Sequence, residues 1–140
     1  MQTFLPERGF AASARALDRQ RLGKQRVEAK QIMLALENPA YGWQNHPAVK
    51  MWRRDKLALA QYGVLVCREW RSRGYQDSLL PFFTERTPDL EQGWTIIPPE
   101  WLTDEFCLAH RSNLIRKLPA HYAPLWPGVP SDLPYIWPVE

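Results

Sequence analysis

The chain has 140 residues, 45% of them hydrophobic and 24% charged, which fits one globular domain with a real core. Its formal net charge is only +3, so any bias toward a charged partner has to lie in how the charges are distributed. No basic stretch followed by an apolar run opens the sequence and no apolar run approaches the roughly 20 residues of a membrane helix; Cys67 and Cys107 lack metal-like spacing. A reduced, unexported, cytoplasmic protein without membrane contact or structural zinc is expected.

Ser13 or Asp18 can cap a first helix that runs to about Asn38, where Asn38-Pro39 is a stop signal. At about 100° per residue, Leu22, Gln25, Ala29, Ile32, Met33 and Leu36 share one side of it. Glu28 borders that side with Arg21 and Lys24, and Arg15, Arg19, Arg26 and Lys30 form a second basic rim at the other border. The carboxylate is therefore expected beside the core, between cations. Gly23 weakens this helix without breaking it.

After the turn-rich stretch 38–45, Pro47 suits the first turn of a second helical region that reaches about Arg73, in one piece or two, with Gly74 as its C-terminal cap. Its middle, Leu57 to Trp70, is apolar on most sides and is the expected central core helix. Trp94-Thr95-Ile96-Ile97 is the one strand candidate. Thr103-Asp104-Glu105 opens a third helix that ends near Lys117, before Leu118-Pro119. From Pro119 onward the chain holds six of its 13 prolines together with Tyr122, Trp126, Tyr135 and Trp137, a composition that predicts an ordered wrap over the core. The fold class is mainly α: a compact single-domain bundle of about three main helices with a Pro/aromatic-rich C-terminal wrap.

Charge is segregated along these elements. Residues 13–30 carry six Lys or Arg against two acids, residues 50–73 seven against two, and residues 106–117 three against none, whereas residues 84–105 carry six acids and Arg86. A basic face for a polyanion and an acidic back account for this pattern; ordinary solvated helix faces are the plainer reading.

The spacing Leu17, Gln20, Leu22, Glu28 resembles the first helix of the pyrimidine-dimer DNA glycosylase family, the phage-type UV endonuclease V group. There a leucine is followed by Gln three, Leu five and the catalytic Glu eleven residues later. Similarity resumes at Tyr41 to Pro47, continues through Asp55-Lys56-Leu57 to Arg73-Gly74-Tyr75, and returns faintly at His110 to Lys117 and Pro119 to Tyr122. The resemblance implies one glycosylase domain over residues 1–140. It implies a repair enzyme that excises a damaged pyrimidine through a Schiff base on its own N-terminal α-amine and nicks the strand by β-elimination, with AP-lyase activity. An α-amine has a reference pKa of about 7.7 to 8.0, so a useful neutral fraction exists near pH 7.

Carried over residue by residue, the resemblance makes Met1 the nucleophile, because the bulky Gln2 keeps the initiator Met in place. Glu28 becomes the acid/base and electrostatic partner of the cationic sugar. About five extra residues precede the first helix, so Met1 must loop back to reach Glu28, and Val27 stands where the phage prototype has an arginine. Candidate DNA contacts are Arg19, Gln20, Arg21, Lys24, Arg26, His46, Arg53, Arg54, His110, Arg111, Arg116 and Lys117, which would hold phosphates without reading sequence. Damaged double-stranded DNA is the expected partner of a monomer, with no metal and no organic cofactor.

Plainer readings stand beside these. Glu28 and Lys24 make an i, i+4 pair, His46 can cap a helix, the basic end of the third helix can answer its macrodipole, and Trp43 and Trp52 read as core. A non-catalytic DNA- or RNA-binding module of the same fold is the alternative function.

Overall fold

A computed structural model describes residues 1–87 and 95–138. Among these residues the regular structure is helical: α1 (Phe10–Ala16), α2 (Arg19–Glu37), α3 (Pro47–Trp52), α4 (Lys56–Ser72), α5 (Leu80–Thr84), α6 (Asp104–Lys117) and α7 (Pro119–Tyr122), followed by a 3-10 turn at Ala123–Leu125. Thr95, Ile96 and Ile97 form no strand, and Trp94 lies outside the described residues. No described helix is long and apolar enough to cross a membrane.

The apolar run of α4 makes it the central helix, packed against α1, α2 and α5. Nine of its residues from Ala58 to Cys67 are buried. Two glycines permit its close contacts. A Cβ on Gly63 would lie 2.2 Å from the Phe83 ring of α5, a distance that excludes it, and one on Gly23 would lie 3.0 Å from the Trp70 ring, a tight contact that the ring would have to ease by a few tenths of an ångström. Gly74, at φ +91°, ends α4: its N–H donates to the Arg71 carbonyl at 2.9 Å and the Tyr75 N–H to the Trp70 carbonyl at 3.4 Å, the paired bonds of a Schellman stop.

Of the two starts that the sequence offers for its first helix, Asp18 is the one taken: it holds the N-cap position of α2, which ends at Glu37 as expected, while a separate short helix, α1, precedes it. Neither side chain makes a cap bond. Ser13 is buried inside α1, where its hydroxyl bonds Glu7, and the Asp18 carboxylate accepts from the Tyr122 hydroxyl and from Arg21 at 3.2 Å. The second helical region is in two pieces, divided at Arg53–Asp55. Thr103 does cap α6, its hydroxyl accepting from Phe106 N–H at 3.1 Å.

The proline-rich tail turns back over this bundle. Tyr122 is buried and stacks on Trp126 at 5.6 Å, and Arg116 donates to the Ser131 carbonyl at 2.6 Å and the Leu133 carbonyl at 3.2 Å. Tyr135 and Trp137 pack against the core beside the N-terminal segment.

Candidate active site at the N-terminal arm

Residues 1–6 form an arm without regular structure that nevertheless runs through the interior: Thr3, Phe4, Leu5 and Pro6 are buried. Buried backbone groups must find partners, and with no strand alongside, the arm takes them from side chains. Gln2 N–H donates to Glu28 Oε2 at 3.1 Å, Phe4 N–H to Gln25 Oε1 at 2.9 Å, and Leu5 N–H to His110 Nδ1 at 3.0 Å. Trp52 Nε1 donates to the Thr3 hydroxyl at 3.0 Å. The arm thus turns back along α2, and residue 2 reaches the carboxylate of Glu28.

Glu28 also accepts from Gln25 Nε2 at 3.3 Å. The Tyr62 hydroxyl lies 2.7 Å from Gln25 Oε1 and 2.9 Å from the Phe4 carbonyl, and burial, reinforced by the nearby charge of Glu28, pushes its pKa far above the usual phenol range. Over these groups opens a cavity of about 210 Å³. It is lined by Gln2, Phe4, Gln20, Gln25 and Glu28 and by three cations, Arg21, Lys24 and Lys117.

His46 approaches from α3, where it caps the helix by accepting from Ala48 N–H at 3.0 Å. Burial and then the charge of the N-terminal ammonium hold its pKa below the ordinary histidine value, which puts the amine within electrostatic reach of this ring. Trp43 and Trp137 flank it at 5.8 and 6.3 Å. Tyr135 bonds the Gln2 side chain; burial raises the pKa of its hydroxyl, and that bond and the charges of Arg116 and Arg21 oppose the rise.

The sequence candidates therefore separate into groups. Gln20, Arg21, Lys24, Glu28 and Lys117 meet at the cavity, and Met1 is next in the chain to the residue that bonds Glu28, whereas His46 caps α3 and is not part of the cavity lining. Arg19 and Arg26 turn to the other flank of α2, Arg19 over the Tyr75 ring at 5.7 Å and Arg26 paired with Asp77 at 2.6 Å and over Trp70 at 4.7 Å. Arg53 and Arg54 line a second, wider groove with Lys50 and Trp101, and Arg53 also donates to the Gln44 carbonyl at 3.0 Å.

Three candidates on α6 are turned inward or engaged by the chain itself. His110 is 1% exposed and serves the arm, with its pKa lowered to about 3 by burial. Arg111 donates to the Pro6 carbonyl at 2.7 Å and to Glu7 at 2.9 Å, and Arg116 staples the tail. Trp52 is core, but Trp43 is 56% exposed and at φ 71°, a strained position for a bulky side chain and a departure from the expectation of burial.

Sequence reasoning gave no site role to Gln25, Tyr62, Gln2 or Tyr135. Gln25 had one signal, an amide on the apolar side of α2; the others take their positions from contacts far apart in the chain. Among the described residues no group of three or more His, Cys, Asp or Glu is placed to hold a metal ion.

Residues 1–80, more than half of the chain and all of it that builds the arm, α2 and the His46 cap, match the sequence model of a family described as pyrimidine dimer DNA glycosylase. No curated protein and no solved structure gives a match.

Proposed function

We propose that this chain, which belongs to the pyrimidine dimer DNA glycosylase family, excises a damaged pyrimidine from double-stranded DNA and then nicks the strand, with the α-amine of Met1 as nucleophile and Glu28 as its partner. The observation that carries this reading is the 3.1 Å bond from Gln2 N–H to Glu28 Oε2, which leaves the amine one residue from a carboxylate beside a cation-rimmed cavity. The reading takes residues 1–140 as one catalytic domain, monomeric and acting on DNA in the cytoplasm.

The chemistry follows from the groups present. The neutral amine attacks C1′, the bond from C1′ to the base breaks, and the base leaves with its electron pair and takes up a proton. Glu28, ionised, stabilises the positive charge that develops on the sugar. Opening of the sugar ring gives a Schiff base between C1′ and Met1. Glu28 then removes a proton from C2′, the C3′–O bond breaks, and the 3′ phosphate departs; water hydrolyses the Schiff base and restores the amine. Lys24 and Lys117 hold the flanking phosphates, and Arg21, which the Asp18 carboxylate already pairs at 3.2 Å, adds its charge to the same cavity.

The test is to incubate untagged protein with abasic-site DNA and sodium borohydride and look for a covalent adduct. An adduct is expected, and it should vanish when the N-terminus is acetylated. Glu28→Gln should retain DNA binding while excision and strand cleavage slow by about 100-fold or more. Absence of the adduct under conditions of demonstrated binding would favour the non-catalytic binding module. A panel that begins with UV-irradiated duplex identifies the lesion.

A further inference from the structure

On the reading that the Met1 amine is the nucleophile, we propose that Gln25 is a positioning residue: its buried amide ties the arm that carries the amine and the Glu28 carboxylate into one unit. Gln25 stands about one helical turn before Glu28 and is 1% exposed. Its Oε1 accepts from Phe4 N–H at 2.9 Å and from the Tyr62 hydroxyl at 2.7 Å; its Nε2 donates to the Gln2 carbonyl at 2.9 Å and to Glu28 Oε2 at 3.3 Å. A carboxamide has two N–H donors and two lone pairs; both donors and one lone pair have a partner of their own, and the other lone pair shares the single Tyr62 proton with the Phe4 carbonyl. These partners also dictate which way round the amide lies. Turned over, its NH2 would face the Phe4 N–H, and its oxygen would face a carbonyl and a carboxylate.

A carbonyl and the N–H two residues further on are what an extended chain offers to one residue of a parallel neighbouring strand. Here the carboxamide of Gln25 takes the place of that neighbour, and the same group bonds Glu28. Arm and carboxylate therefore share a reference point on one turn of α2. Trp52 holds the side chain of Thr3, and His110 holds Leu5; neither bonds the backbone of Gln2, the residue next to the amine. Removal of the amide loosens Gln2 while those anchors stay, which displaces the nucleophile without releasing the whole arm.

The experiment compares wild type, Gln25→Leu and Gln25→Glu in single-turnover borohydride trapping at saturating abasic DNA. Affinity for duplex carrying an uncleavable tetrahydrofuran abasic analogue is measured separately. A displacement near 1 Å costs about 100-fold in rate, so the saturating trapping rate should fall by about that factor in Gln25→Leu. Affinity should change by no more than about threefold, because the phosphate-binding cations are untouched. Amide hydrogen exchange at Gln2 and Phe4 should quicken while exchange in α4 does not.

Gln25→Glu keeps the volume and the acceptor but turns an oxygen toward the Gln2 carbonyl and Glu28, so it should also lose trapping rate near pH 7; it decides the matter if Gln25→Leu does not fold. A folded variant that traps at the wild-type rate overturns the positioning role. So does a loss of affinity equal to the loss of rate. Wild type that binds abasic DNA without forming an adduct overturns the amine reading, and this inference with it; an adduct in wild type together with undiminished variants overturns the Gln25 role alone.

Discussion

His110 stands where a histidine ring replaces a backbone partner. Its Nδ1 accepts from Leu5 N–H at 3.0 Å, its ring lies 4.2 Å from that of Phe106, and burial lowers its pKa to about 3. In the unfolded chain the same ring takes up a proton near the reference value of about 6.5. A folded pKa below the unfolded one means that the unfolded state binds more protons between these values. The contribution of neutral His110 is thus complete above pH about 6.5 and is lost as pH falls toward about 3, by at most about 1.4 kcal/mol per pH unit. Urea unfolding at pH 7, 5.5 and 4.5 should show stability decline on acidification. His110→Asn, whose side-chain oxygen can accept from Leu5 N–H, should be less stable at pH 7 but flatter with pH; an equally steep decline would place the acid sensitivity elsewhere. The same residue marks how far the site is legible in the sequence. Glu28 and Lys24 can be located because helix periodicity fixes their side of α2. His110 reads as a DNA contact because nothing local to α6 reveals a bond to a residue 105 positions earlier. The arm has no periodicity, and Gln25 betrays itself only as a polar group among apolar ones.

At the scale of elements, the packing of α4 rests on missing side chains. A Cβ on Gly63 would sit 2.2 Å from one Phe83 ring atom and 2.3 Å from another, and Phe83 is fully buried, so the ring has nowhere to retreat. Gly63→Ala should force α5 outward and cost about 1–3 kcal/mol despite the better helix propensity of Ala. Thermal unfolding should show a lowered Tm; an unchanged or raised Tm would mean that α5 yields easily. Thr103→Ala is a milder test at a helix end: it removes the acceptor of Phe106 N–H and should cost about 1 kcal/mol. Thr103 can be identified as a cap because capping is a matter of neighbouring residues. Asp18 is likewise legible as a helix start, but not what its carboxylate does there: Tyr122, 104 residues away, claims it in competition with capping the helix. Central α4 is legible because an apolar run of that length has one place to go. The short α5 is not, as its five residues make too little pattern to distinguish from a loop.

Over the whole molecule, the basic residues divide into those the fold consumes and those turned toward the cavity. Arg26 and Arg71 both pair with Asp77, whose side chain is fully buried; Arg86 grips Glu37 at 2.8 Å and Arg111 grips Glu7 at 2.9 Å. Arg73 donates to the Leu17 carbonyl at 2.8 Å. Counting charges along the sequence thus overstates the face available to a polyanion. Lys24 and Lys117, by contrast, are exposed at the rim of the cavity, contributed by α2 and by the last turn of α6. The binding of duplex DNA should therefore weaken with salt, and removing one cation from a phosphate should reduce the slope of log K against log salt by about 0.9. Lys24→Ala and Lys117→Ala should each lower both affinity and slope, about equally on damaged and undamaged duplex, because cations held against phosphates carry no sequence or lesion information. Arg26→Ala should behave differently. It strips the buried Asp77 carboxylate of its 2.6 Å partner, so it should lower Tm while leaving the salt slope close to that of wild type. Titrations between about 50 and 200 mM salt, with Tm measured on the same proteins, separate the two groups. If Arg26→Ala flattens the slope as much as Lys24→Ala does, the polyanion reaches around both flanks of α2, and the division into consumed and presented cations fails.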